Sequence, residues 1–79
     1  MPGMHKATLK GSETLRRLLA FLQARGEVGA TSIELTQALD LVAVATWVSQ
    51  LRHNGVNVDC QYERTTETGR RVHRYRVVA

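Results

Sequence analysis

Residues 31–55 read TSIELTQALDLVAVATWVSQLRHNG, and this stretch decides the fold. Thr31 followed three positions later by Glu34 has the form of a capping box. The threonine hydroxyl takes the third helical N–H, and the glutamate reaches back to the cap. A short helix follows, with Leu35, Ala38 and Leu39 on its inner face, and it stops near Asp40. Two residues later another helix begins and runs to His53, with Val44, Val48 and Leu51 as its core stripe. Asn54-Gly55 ends it, since both residues tolerate the left-handed conformation of a helix C-cap.

Upstream, Ser12 is an N-cap for a first helix over 13–25, whose stripe is Leu15, Leu18, Leu19 and Leu22. Arg25-Gly26 closes that helix with a base in its last turn and a glycine after it. Glu27 to Ala30 is a short connector holding Val28 and Gly29, and it is expected to form a strand of two or three residues. Residues 1–11 are polar, with Pro2, Gly3 and Gly11, and are expected to be a flexible tail ahead of one domain over 12–79.

Downstream the period changes to two. Val56, Val58, Cys60 and Tyr62 alternate with Asn57, Asp59, Gln61 and Glu63, the pattern of a half-buried strand. Arg64 to Arg71 is the expected turn, centred on Glu67-Thr68, and Val72 to Val78 the returning strand. This register sets Val58 opposite Val77, Cys60 opposite Tyr75 and Tyr62 opposite His73, all facing the helices. Arg74 and Arg76 then point outward beside Gln61 and Asp59. A one-residue slip would exchange the two faces, so the match of apolar to apolar fixes the parity. The expected architecture is α+β, mainly α: three helices and a C-terminal two-stranded hairpin.

Composition narrows the function classes. The 79 residues suit one domain, which buries roughly 60% of its unfolded surface. Cys60 is the only cysteine, so no internal disulfide exists. His5, His53 and His73 are scattered without ligand spacing, and no metal is expected. No apolar run approaches the roughly 18 residues of a membrane span, and no secretory signal is visible; a cytoplasmic, nucleoid-associated setting is expected. Paired carboxylates, a nucleophile beside a base and a glycine-rich phosphate loop are all lacking, so neither enzyme activity, a cofactor nor a small-molecule ligand is expected.

Charge is the positive signal. The net charge of +4 is not spread evenly. Bases and acids cancel over residues 1–63, whereas 64–79 hold Arg64, Arg70, Arg71, Arg74 and Arg76 against Glu67 alone. Arginine donates two parallel hydrogen bonds to phosphate, and a concentrated basic element suits a polyanion. The same pattern also suits a solvated edge kept basic against aggregation.

Two further segments carry a resemblance. Leu51-Arg52-His53-Asn54-Gly55 is similar to the Leu-Arg-x-x-Gly end of the third helix in winged helix-turn-helix proteins of small bacterial and phage type. Gly69-Arg70-Arg71-Val72-His73-Arg74-Tyr75-Arg76-Val77 resembles their returning wing strand. The resemblance covers about residues 12–78. It implies binding of double-stranded DNA and a role in transcription regulation, with the third helix in the major groove. Trp47 departs from it, standing where such proteins often carry arginine.

On that reading, the face opposite the core stripe of the third helix offers Ala43, Thr46, Ser49, Gln50 and His53 to base edges. Gln50 leads, because an amide pairs bidentately with adenine. Arg52, Arg64, Arg70, Arg71 and Arg74 are the backbone candidates, and Arg76 is expected to be held by Asp59. About four arginines on phosphates would give a salt slope of roughly −3 to −4. Arg52 reads equally as cover for its apolar neighbours. Arg16 and Arg17 read as a solvated face, His73 as a buried histidine and Cys60 as a small buried hydrophobe. Trp47 closes the core edge, joins a subunit interface or stacks against a sugar or base, and a homodimer using the first helix, Phe21 or Trp47 is expected. The competing class is a protein-docking module that binds no DNA.

Overall fold

Ser12 opens the first helix, α1 (Glu13–Arg25), by accepting a hydrogen bond from Leu15 N at 3.2 Å. That satisfies one of the four N–H groups every helix start leaves unpaired. Leu15, Leu18 and Leu22 on its inner stripe are fully buried. The computed structural model describes residues 8–78. Most of the expected tail, 1–7, therefore lies outside the described residues. Its remainder is a turn rather than a loose end. Leu9 packs against the core and its N–H donates to Asn54 Oδ1 at 3.0 Å. Arg16, expected to be merely solvated, donates to the carbonyls of Leu9 and Lys10 at 2.9 and 2.8 Å.

After α1 comes a 3-10 turn, Gly26–Val28, then β1 (Ala30–Thr31). The short strand thus begins at Ala30, the last residue of the expected connector, and runs one residue past it to Thr31. Gly29 instead supplies the bend, at φ 65°, ψ −156°, a region essentially closed to other residues. A methyl group there would overlap the carbonyl oxygen of Tyr75 and lie 2.9 Å from Arg76 Cβ. The backbone of residue 29 rests directly on the sheet.

Thr31 caps α2 (Ser32–Leu39) with the expected box: Thr31 Oγ1 accepts from Glu34 N at 3.1 Å, and Glu34 Oε1 accepts from Thr31 N at 2.8 Å. Arg25 adds an ion pair to Glu34 at 3.1 Å and donates to Gly29 O at 2.8 Å, joining the end of α1 to the start of α2. The Thr31 N–H, and after it the Arg25 guanidinium, hold the Glu34 carboxyl below the usual carboxylate range against the opposing effect of partial burial. A depressed carboxylate stabilises the fold above its unfolded pKa, and that stabilisation is lost as pH falls through the folded pKa. Urea denaturation should show Thr31→Ala costing about 1 kcal/mol. The stability gap between the parent and Glu34→Gln should shrink as pH falls below about 4.3. A gap independent of pH would show that the carboxylate is not the stabilising form.

Leu35 is buried, but Ala38 is exposed, contrary to expectation. It lies about 60° round the helix from Leu35, and its single methyl does not reach the core. The turn into the next helix uses two left-handed residues that are not glycine, Asp40 (φ 55°) and Ala43 (φ 56°). Between them Leu41 is buried and Val42 is 79% exposed. α3 (Val44–His53) consequently starts two residues later than its apolar pattern suggests, with Ala43 as N-cap. Val44, Val48 and Leu51 are buried as expected.

The hairpin pairs β2 (Val58–Thr65) with β3 (Arg71–Val77), and β1 adds to the far side of β3, giving the order β1-β3-β2. The register is the one read from the alternation: Val58 faces Val77, Asp59 Arg76, Cys60 Tyr75, Gln61 Arg74 and Tyr62 His73. A bulge between Tyr62 and Arg64 then shifts the ladder by one, so that Arg64 faces Val72 and Thr65 faces Arg71. Pairing therefore extends nearer the tip than expected. The loop is closed by Thr66 N donating to Arg70 O at 2.8 Å and Gly69 N to Thr66 O at 2.9 Å, a three-residue hairpin connection. The core joins the leucines of α1 to Ala30, Leu35, Leu41, the stripe of α3, Val58 and Tyr75. Val72 is fully buried too, apart from that cluster.

Candidate nucleic-acid interface

The buried stripe of α3 leaves Ala45, Thr46, Ser49, Arg52 and His53 exposed. At about 100° per residue, Ala45, Ser49 and Arg52 lie on the flank toward the hairpin, and Trp47 and Gln50 on the flank away from it. The cavities agree with this placement. Ala45, Val48 and Arg52 line one hollow with Cys60, His73 and Tyr75 of the hairpin. Trp47 lines another with Thr14, Arg17, Leu39, Leu41 and Val42.

Of the five residues expected to face bases, Thr46, Ser49 and His53 share the exposed face beside the hairpin. Gln50 is half-buried on the far flank, and Ala43 belongs to the turn that precedes the helix. Ala45 escaped the sequence reading. It is small and exposed, and its place becomes visible only once the side taken by the hairpin is known. Arg52 is exposed, yet its Nε and Nη2 both donate to Val58 O, at 3.2 and 2.9 Å. It ties the end of α3 to the free edge of β2, which makes it a brace before it is anything else.

The two faces of the hairpin differ in charge. Both acids of β2 lie on the outer face, and each holds an arginine of β3. Asp59 pairs with Arg76 at 3.3 Å, as expected, and Glu63 pairs with Arg74 at 2.6 Å. Arg74 Nη1 also donates to Val28 O at 2.8 Å. The hydrogen bond between Arg74 and Glu63, with the attraction of their charges, holds the Glu63 carboxyl below the usual range and raises the Arg74 guanidinium further above its own. Arg74, expected among the backbone contacts, is thus bonded within the fold to Glu63 and Val28. Arg64, Arg70 and Arg71 are exposed, and among the described residues none of the three makes an ion pair. Arg70 and Arg71 reach the cleft between the hairpin and the α2–α3 turn, where Ser32, Thr36, Val42 and Ala45 form the opposite wall.

The inner face is less covered than its apolar pattern suggests. Val58 and Tyr75 are buried, and burial raises the Tyr75 phenol above its ordinary pKa. Cys60 and Tyr62, both expected to be buried, are exposed, and His73 is only half-buried. The helices cover the β3 side of this face more closely than the β2 side, which leaves Cys60 and Tyr62 open to solvent. There the rings of Tyr62 and His73 meet edge to face, with centroids 5.9 Å apart.

Among the described residues no group of three His, Cys, Asp or Glu can hold a metal ion, and no helix is long and apolar enough to cross a membrane. A family profile described as a winged helix-turn-helix domain matches residues 14–78. No curated protein and no solved structure matches the sequence.

Proposed function

The chain belongs to the winged helix-turn-helix domain family, a DNA-binding fold, and from that premise we propose that it binds double-stranded DNA as a small transcriptional regulator of bacterial or phage type. α3 lies in the major groove, with Ala45, Thr46, Ser49 and His53 toward base edges. The hairpin is the wing, and Arg64, Arg70 and Arg71 meet the phosphates. One observation carries the reading: the three arginines that make no ion pair among the described residues sit at the end of the hairpin that flanks the exposed face of α3.

Fluorescence anisotropy against duplex DNA over a salt series tests it. With three phosphate contacts rather than four, log affinity should fall against log salt with a slope of roughly −3. Absence of binding even at low salt would reject the proposal and favour a docking module. A lone domain reads few bases, and dimerisation on a two-fold site is the usual remedy. The half-buried Trp47 beside the exposed Val42 is the apolar side we assign to such a dimer. Phe21 is the weaker candidate, since the Arg25 guanidinium already lies over its ring at 5.7 Å.

A further inference from the structure

We propose that the inner face of the wing is a stacking platform for unpaired bases, so that the protein prefers duplex DNA adjoining a single-stranded segment over blunt duplex. The inference rests on the DNA-binding reading and says where along DNA the wing comes to rest.

Tyr62 carries it. The side chain is 59% exposed, although an aromatic ring gains most from burial. Exposure here does not mean freedom. The ring is held edge to face against His73, and its hydroxyl shares a hydrogen bond with Thr65 Oγ1 at 2.7 Å. The bulge makes the second restraint available. By skipping a residue it returns Thr65 to the face that Tyr62 occupies. A ring fixed at two points with an open π-face is preorganised for a flat partner.

Charge selects that partner. The wing's paired acids, Asp59 and Glu63, are turned to the outer face and bonded to Arg76 and Arg74. On the inner face Arg71 stands across from Thr65, next to Tyr62, and makes no ion pair among the described residues. An aromatic surface with a guanidinium beside it fits a base attached to its phosphate. Duplex DNA does not offer that combination, because its bases show only their edges in the grooves. An unpaired base exposes its π-face and keeps its phosphate.

Anisotropy titrations at a single salt concentration would compare a blunt duplex, the same duplex with a short thymine overhang of either polarity, and the overhang strand alone. The parent should bind an overhang duplex roughly tenfold tighter than the blunt one, the scale of one stacked base. Tyr62→Ala should abolish that preference and leave blunt-duplex affinity within about twofold, whereas Tyr62→Phe should retain it. Circular dichroism would establish that all three proteins are folded. Equal affinity of the parent for blunt and overhang duplexes overturns the platform and leaves duplex binding intact. A preference that survives Tyr62→Ala overturns it as well. Failure to bind any of the three DNAs removes the underlying DNA-binding reading.

Discussion

Gly29→Ala should cost the domain about 4 kcal/mol, about half of the stability expected for a chain of this length at ~0.1 kcal/mol per residue. Two effects add. A non-glycine residue at this φ and ψ is strained by roughly 1–3 kcal/mol. The methyl group also overlaps the Tyr75 carbonyl, so β1 must lift from β3, at a cost of about 1–3 kcal/mol typical of overpacking. The displaced strand carries Ala30 from the core and Thr31 from the α2 cap, which spreads the damage. Gly55→Ala is the control. Its φ of 86° is also positive, but a Cβ there meets nothing within 4 Å, so it should lose only about 1 kcal/mol. Thermal melts of the two variants separate close approach from backbone strain. Equal losses would mean that β1 does not need contact at residue 29.

Reversing two charges in the wing should have the largest effect on binding. Arg70→Glu combined with Arg71→Glu is expected to weaken duplex affinity about a hundredfold at low salt and to flatten the salt slope by about two. Both residues are exposed, and neither makes an ion pair with a described residue. The melting temperature should therefore hardly move. Arg76→Gln should show the opposite pattern: a small loss of stability from the broken Asp59 pair and little change in affinity. If Arg76→Gln weakened binding as much as the double reversal, the outer face of the hairpin would be the contacting one.

Much of this architecture was legible in the sequence. The capping box of Thr31 and Glu34 and the Ser12 cap are local hydrogen-bond patterns, and α1 occupies the predicted span. The ladder from Val58–Val77 to Tyr62–His73 follows from a turn placed near Glu67-Thr68 together with the parity of the two strands. What parity does not reveal is whether anything covers a face. Cys60 and Tyr62 lie on the predicted side of the sheet but beyond the reach of the helices. The bulge was hidden for a related reason: no side chain announces an extra residue, and the residue left out of the ladder is Glu63, which reaches Arg74 instead. Gln50 and Ala45 were misjudged because the helical wheel gives angles, not the side on which a later hairpin will land. The left-handed Ala43 defied reading as well, since alanine has no preference for that conformation and tertiary contacts impose it.

The bulge has one more consequence, for the shape of the charge at the tip. Past it Arg64 stands with Val72 on the outer face, while Arg71 stands with Thr65 on the inner one. The end of the hairpin is therefore positive on both flat sides, like a blade charged on each cheek. Such a blade is matched to a slot walled by anions left and right rather than to a single charged plane. Had the ladder run on one-to-one without the bulge, Glu63 would oppose Val72 and Arg64 would oppose Arg71, leaving both arginines on the inner side. The aim of the tip is thus set by the number of residues leading to it as much as by their chemistry.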